Sequence, residues 1–473
     1  MSEPASVDVA EILETRKVGG FQLGIWLLAF LMLFMDGFDL SGALVGAPAL
    51  LRTFHGERSQ LGIIFGLSGV GALIGTYGYG YVLDLFGRRA AALSAVLIYS
   101  LAAIACGFIT ALDQLLLPRL VAGIGFGGIM PTAIAYIVEM APKRHRVTFT
   151  MIGTLGLTLG ISAMGQVGAW LLPLWGWQVV FFLPGAAGLA LAALLWFVLP
   201  ESLRYLALKR PGSPALRAKM IELAPELSIG PATRFVLPPQ PRSTSLGLKP
   251  LFQGAQRVAS PLLWAGYLVQ TITFAAATNW YAVLLESLKL TPLQASLTFS
   301  SGALAGAPTH IATAWLFDRI GPYAVVAALL IASGAMALLG TPGLSATTIM
   351  IIGVICYAFC QACQGSFNGM VGVFYPTNIR GKGIGYASGM GRIGMIIGPM
   401  LTGFLLSGRV PLDVTLYIVA APYVATALIC VALGVIYWRK FAGGEAGAAG
   451  VASPAETAAP ADVELAAGEG ARS

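Results

Sequence analysis

The chain of 473 residues is 57% hydrophobic and only 10% charged, with a mean hydropathy of +0.80. Soluble domains carry roughly 25% charged residues, so a water-soluble enzyme or a disordered chain is excluded and an integral membrane protein remains. The 28 Lys and Arg against 21 Asp and Glu give a net charge of +7, which the placement of those residues assigns to membrane topology rather than to nucleic-acid binding.

A membrane-spanning helix needs about 20 mostly apolar residues. Such runs are centred near residues 34, 71, 101, 127, 161, 189, 271, 306, 331, 361, 396 and 425, which predicts twelve spans. Residues 1–20 form a polar tail without a cleavable signal peptide, and the first apolar run is read as span 1. Spans 1–6 fill residues 21–199. A Pro-, Ser- and Arg-rich linker follows over 200–258, with a short amphipathic helix expected around "ALRAKMIEL", and spans 7–12 fill 259–440. The tail over 441–473 is Ala-, Gly-, Glu- and Pro-rich, the composition of a disordered segment. With the N-terminus inside, 22 of the 28 basic residues fall in cytoplasmic segments, four in outer loops, and Arg119 and Arg392 inside spans. That bias puts both termini in the cytoplasm.

The halves also repeat. "LDLFGRR" and "LFDRIGP" place Asp84 and Gly87 against Asp318 and Gly321, each 234 residues apart. "PKRHR" and "PTNIR" repeat the offset with Pro142 and Arg146 against Pro376 and Arg380. The fold expected is therefore an all-α membrane protein with twelve transmembrane helices in two six-helix pseudo-repeats. In this register Asp36 matches Gln270 and Asp39 matches Thr273.

Chemistry concentrates in "FLMLFMDGFDLSGALVG" of span 1, residues 30–46. A carboxylate at the bilayer centre costs about 2.5–3.5 kcal/mol on insertion scales, so such groups face a bundle interior or a wet cavity. Asp36 and Asp39 share one helix face, and either move protons or only pair with arginines to fix packing. The countercharges available are Arg119, beside the glycines of "LLPRLVAGIGFGGIMP" and near the depth of Asp39, and Arg392 in "SGMGRIGMIIGP" near mid-membrane. Arg392 offers a planar fork to an anionic substrate, or else serves as a structural partner. A flat aromatic substrate would suit Phe34, Phe38, Trp280, Tyr281, Tyr357, Phe367 and Tyr386, with Asn279, Gln361, Gln364 and Asn368 to hydrogen-bond its substituents. The five cysteines and His310 read mainly as packing residues. No metal or cofactor motif stands in a credible context, and no cofactor is expected.

The motifs together resemble the major facilitator superfamily over residues 15–440. "GYVLDLFGRR" is similar to its span 2–3 signature, "WLFDRIG" to the degenerate copy, "RLVAGIGFGG" to its span 4 motif, and "PESLRYL" to an element after span 6. "MDGFD" and "YPTNIRGKGIGYASGMGRIGMIIGP" resemble the aromatic acid:proton symporter family. The resemblance implies a proton-driven importer of benzoate-like acids in a bacterial inner membrane, in which Asp36 and Asp39 couple protons. Substrate would be bound by Arg392, Arg119, Phe38, Gln361, Gln364, Asn279, Trp280 and Tyr386. It further implies a cytoplasmic gate at Gly80, Asp84, Gly87, Arg88 and Arg89, with Asp318, Arg319, Glu139 and Arg146 counted with it and Asp84 facing the start of span 11. Leu85 stands where the superfamily usually has Arg or Lys, and Pro322 where an Arg is expected. Partners are then a small aromatic acid, protons and the bilayer, with a monomer sufficient. Another organic anion, or export of amphipathic compounds, are the competing readings.

Overall fold

The computed structural model describes residues 6–15, 18–140, 142, 146–224, 229–230, 233–237, 249–254, 256–375, 377–408 and 410–440. The expected tail over 441–473, and the side chains of Arg146, Asp318, Asn368 and Arg380, lie outside the described residues.

Helix α1 (Val9–Thr15) precedes six long helices: α2 (Gly20–Phe54), α3 (Arg58–Phe86), α4 (Arg88–Cys106), α5 (Leu116–Met140), α6 (Arg146–Trp175) and α7 (Val179–Val198). Two short helices follow, α8 (Leu203–Lys209) and α9 (Pro214–Leu223), the second at the amphipathic segment. Six more long helices complete the chain: α10 (Gln256–Ser287), α11 (Pro292–Ile320), α12 (Tyr323–Leu339), α13 (Ala346–Phe374), α14 (Thr377–Ser407) and α15 (Leu412–Lys440). These twelve long helices cover the predicted span centres. Ten segments are long and apolar enough to cross a membrane. Helix α12 is shorter, and α11 falls outside that set because its Ser, Thr, Pro and His residues dilute its apolar character.

One feature was not expected from composition. Strand β1 (Ser6–Asp8) pairs in parallel with β2 (Arg234–Val236), Ser6 opposite Arg234 and Asp8 opposite Val236. The N-terminal segment is thereby fastened to the central linker. The Arg204–Glu14 ion pair at 2.7 Å ties the same two regions a second time.

Helix α2 packs on α5, α6 and α7, α3 on α5, and α4 on α5 and α7. Later in the chain α10 packs on α13, α14 and α15, α11 on α13, and α12 on α13 and α15. Lipid tails give no hydrophobic drive between such helices, so close backbone approach at small residues takes its place. A Cβ on Gly37 would stand 2.0 Å from the Leu157 carbonyl oxygen, and one on Gly127 2.3 Å from that of Ala72.

Three helix pairs join the two sets: α2 with α10, α3 with α14, and α6 with α11. Hydrogen bonds across this seam cluster from mid-helix toward the end that carries the α2–α3 and α10–α11 turns. Arg52 pairs with Glu286, Arg58 donates to the Ser287 hydroxyl at 3.3 Å, the Ser59 N–H donates to the Ser407 hydroxyl at 2.7 Å, and the Ser162 hydroxyl donates to the Ser300 carbonyl at 3.0 Å. Gly62 lies against Pro399 and Gly403 in the same region. Among the described residues no hydrogen bond or ion pair links the two sets at the opposite end. Among the described residues, the polar contacts between the two sets thus gather toward one end.

Substituting Gly71 by Val tests the packing, because its Cβ would lie 2.1 Å from the Leu120 carbonyl oxygen. Overpacking of this kind costs about 1–3 kcal/mol, so a lower midpoint of thermal unfolding in detergent is expected. Gly78→Val, with nothing within 4 Å of its Cβ, should unfold with the wild type.

Candidate transport site

Burial decides the geometry around span 1. Asp39 is 1% exposed and Arg119 2% exposed, and an Nη of Arg119 meets Oδ2 of Asp39 at 3.4 Å. The guanidinium also donates from Nε to the Ser68 hydroxyl at 3.3 Å and lies 5.9 Å from the Phe126 ring centroid. One arginine on α5 therefore ties α2 and α3 together. The other carboxylate oxygen of Asp39, and the buried Tyr99 hydroxyl, have no hydrogen-bond partner. A buried acceptor left unfilled is uncommon and costly, so Asp39 is under-satisfied even while paired.

Asp36, one turn earlier, is half-buried. It lies within electrostatic reach of Arg392 on α14 and of Asp39. Tyr267 and Tyr77 also lie within the field of Arg392. Tyr77 is 60% exposed and comes from α3, so the Arg392 neighbourhood draws residues from α2, α3, α10 and α14. Phe34 and Phe38 stack on α2 with ring centroids 5.8 Å apart. Tyr386, 42% exposed, stacks on Trp264 at 5.6 Å. Flat ring surfaces thus accompany the charges.

The remaining expected substrate contacts divide. Gln361 is half-buried with its stem against Gly306, and Gln364 has a buried, unpartnered carbonyl oxygen, so both keep polar capacity in reserve. The Asn279 amide donates back to the Ala275 carbonyl at 2.8 Å. Trp280 takes a different place from the expected one. It is fully buried, donates to the Pro399 carbonyl at 2.9 Å, and meets Phe65 edge-on at 6.0 Å. Its ring fills the closed end of the seam, where an indole satisfies both its apolar body and its N–H. The three cysteines of α13 are buried and free, as are Cys106 and Cys430, and the His310 ring lies against Gly365.

The signature between α3 and α4 is held from within its own set of helices. Gly87 has φ +95, a conformation that favours glycine, and any Cβ there would collide with the Glu201 carboxylate at 2.3 Å. Glu201 accepts from the backbone N–H groups of Arg88 at 2.8 Å and Arg89 at 3.2 Å, capping the start of α4. A carboxylate at a helix N-terminus meets unfilled donors and the positive end of the dipole. Arg88 pairs with Glu139 at 2.7 Å, Glu139 also accepts from the Ser202 hydroxyl, and the Tyr205 hydroxyl donates to the Leu85 carbonyl at 2.9 Å. Arg89 bonds the Trp196 carbonyl. The "PES" element is the clamp on this signature, a role that no short-range pattern reveals. Asp84, expected to face the start of span 11, is exposed and has no hydrogen-bond or ion-pair partner among the described residues. Gly80 has open space where a Cβ would be, and Arg319 lies over the Trp315 ring at 3.7 Å. Among the described residues, the Arg88 guanidinium is held by Glu139 and that of Arg89 by the Trp196 carbonyl, while Glu201 takes their backbone N–H groups.

The family model that matches the sequence is that of the Major Facilitator Superfamily, over residues 29–378 and again over 263–455. The chain belongs to the major facilitator superfamily. It is thus an integral membrane transporter and not an enzyme. Among curated proteins it is 30% identical to a gallate transporter of Pseudomonas putida, covering 91% of this chain and 96% of that one. It is 29% identical to a 4-hydroxybenzoate transporter of Pseudomonas aeruginosa (85% and 90% covered), and 28% identical to a benzoate transport protein of Acinetobacter baylyi (86% and 88%). These similarities are consistent with the aromatic acid symporter branch of the superfamily. In fold it is similar to a bacterial homolog of the human lysosomal transporter Spinster, solved inward-facing and unoccupied, with a TM-score of 0.67 at 19% identity and coverage of 89% and 97%. A D-xylose–proton symporter matches equally at 0.67 and 17% identity, covering 87% and 97%.

Removing Arg119 alone leaves the Asp39 charge buried and unpaired, at a cost of about 3–5 kcal/mol. Arg119→Leu should therefore fail to accumulate or unfold well below wild type in detergent. The double variant Arg119→Leu/Asp39→Leu should regain much of that stability without regaining transport. A double variant no more stable than the single one would remove the ion pair from the account.

Proposed function

We propose that this transporter imports an aromatic carboxylate of the benzoate or hydroxybenzoate type together with protons, by alternating access across a bacterial inner membrane with both termini cytoplasmic. The observation that carries the reading is the division of labour between two carboxylates on one helix. Asp39 is locked to Arg119 inside one set of helices, whereas Asp36 faces the field of Arg392 from the other set.

Arg392 cannot lose its charge, and its fork matches a carboxylate. An arriving substrate carboxylate competes with Asp36 for that guanidinium. Asp36 then changes partner, and its affinity for a proton changes with it. Because binding free energies are reciprocal, the proton held by the site and the anion held by Arg392 each set the affinity for the other. Phe34, Phe38 and Tyr386 supply ring faces beside the charges, and Gln361 and Gln364 supply hydrogen-bonding groups for ring substituents. The names of the curated relatives support an aromatic acid as cargo. The polar contacts across the seam, which among the described residues gather toward the end of the α2–α3 turn, support a state open to the cytoplasm, reached by rocking of the two sets of helices about a midplane site.

Purified protein in liposomes under imposed pH or sodium gradients tests this directly, with benzoate, 4-hydroxybenzoate and a non-aromatic dicarboxylate as cargo. Asp36→Asn should lose uphill uptake at least about tenfold yet keep exchange of labelled for unlabelled substrate, since the amide still fits but holds no exchangeable charge. Uphill uptake at the wild-type level in this variant overturns the coupling assignment. Arg392→Lys should raise KM about tenfold, equivalent to about 1.4 kcal/mol, because a point charge replaces a fork.

A further inference from the structure

The closed end of the seam holds a charged cleft that the central site does not use. Arg52 on α2 and Glu286 on α10 form its ion pair, with side chains 56% and 17% exposed. They are 234 residues apart, the spacing of the internal repeat. Copies related by a two-fold axis touch their own mates only beside that axis, so this pair marks where the axis leaves the bundle. A contact on the axis at one end must break when that end opens.

The cleft beside it encloses about 350 Å³ and is walled by Pro48 and Val283. Arg58 enters it from the start of α3 and donates to the Ser287 hydroxyl at 3.3 Å. No carboxylate pairs with Arg58 among the described residues. Two guanidinium groups and one carboxylate therefore line a space of ligand size, and the cleft keeps a positive surplus. An ion pair this open to water holds weakly, and a free carboxylate offers an arginine the same fork geometry that Glu286 does.

We propose that this cleft is an anion-docking vestibule in which an incoming substrate carboxylate seats on Arg58 and displaces Glu286 from Arg52, releasing the latch between α2 and α10. The inference rests on the reading of the cargo as a carboxylate. It differs from that reading in assigning a second, outer station and a trigger for opening. No covalent bond is made or broken; a carboxylate seated on Arg58 competes with Glu286 for Arg52 in the same cleft, and the remaining contacts of the seam, chiefly glycine packing and serine hydrogen bonds, are left to part.

Full-length protein in lipid nanodiscs, spin-labelled at cysteines introduced at the exposed positions Thr53 and Lys289, reports the latch by pulsed dipolar distance measurement. The five native cysteines are buried and leave the labelling specific. Without ligand, wild type should show mainly the short distance, and 4-hydroxybenzoate should populate a longer one. Glu286→Gln should raise the long-distance population at least about threefold without ligand. Arg58→Gln should keep the short distance without ligand, yet need about tenfold more 4-hydroxybenzoate for half-maximal uptake. Its equilibrium binding in detergent, where Arg392 is reached from the open end, should change by less than about twofold. Wild-type distances in Glu286→Gln, or an unchanged half-saturating concentration in Arg58→Gln, overturn the proposal. Wild-type protein that takes up no aromatic acid sinks the function proposed above, while the ligand-free distances in Glu286→Gln still decide the latch.

Discussion

A carboxylate with almost no exposed surface, held by a single arginine, is the constraint on which the transporter's interior depends. Asp39 cannot remain charged among apolar side chains without Arg119, and Arg119 cannot reach it unless α2 and α5 lie side by side at that depth. The same guanidinium holds Ser68 of α3, so three helices are located by one group. Glycines then allow the backbones to close to the separation that the pair demands. With Arg119 committed, Asp36 has only the arginine of the opposing helices within its field. Two carboxylates in different settings, one in a closed ion pair and one facing the opposing helices' arginine, thus stand on adjacent turns of one helix.

Electrostatics of this kind was partly legible from the sequence. The apolar runs located the long helices because the bilayer sets their length, and counting residues by depth brought Arg119 level with Asp39 before any coordinates. The duplicated "LDLFGRR" and "LFDRIGP" turns proved structurally alike at their glycines, Gly87 and Gly321 both having positive φ. What failed was the assignment of partners across long stretches of chain. Trp280 sits among polar residues in the sequence and looked like a ring for a substrate, yet its indole N–H had a carbonyl waiting on Pro399, 119 residues away. Glu201 lay in a quoted motif without a target, because a helix cap supplied from 113 residues downstream leaves no local pattern. Arg52 and Glu286 stand 234 residues apart, in the register of the repeat, so here the repeat carries a contact as well as a likeness.

The contacts of the signature follow the same logic. Arg88 and Arg89 carry long cationic side chains, and among the described residues these take acceptors on their own side, Glu139 and the Trp196 carbonyl, while their backbone N–H groups take Glu201. Asp84, with a short side chain, has no such recourse and stays in the open. Among the described residues, those of the signature thus divide between side chains that stiffen their own bundle and Asp84, which is exposed.

The parallel pairing of Ser6–Asp8 with Arg234–Val236 changes what the central segment is mechanically. A linker fastened near its middle to the beginning of the chain is not a rope strung between two moving bodies. The far end of the linker is fastened as well, since Leu251 is fully buried and its carbonyl accepts from the Ser260 hydroxyl of α10 at 2.6 Å. The first strand thereby shortens the tether between the two sets of helices, and a fusion placed ahead of Ser6 would tug on that knot.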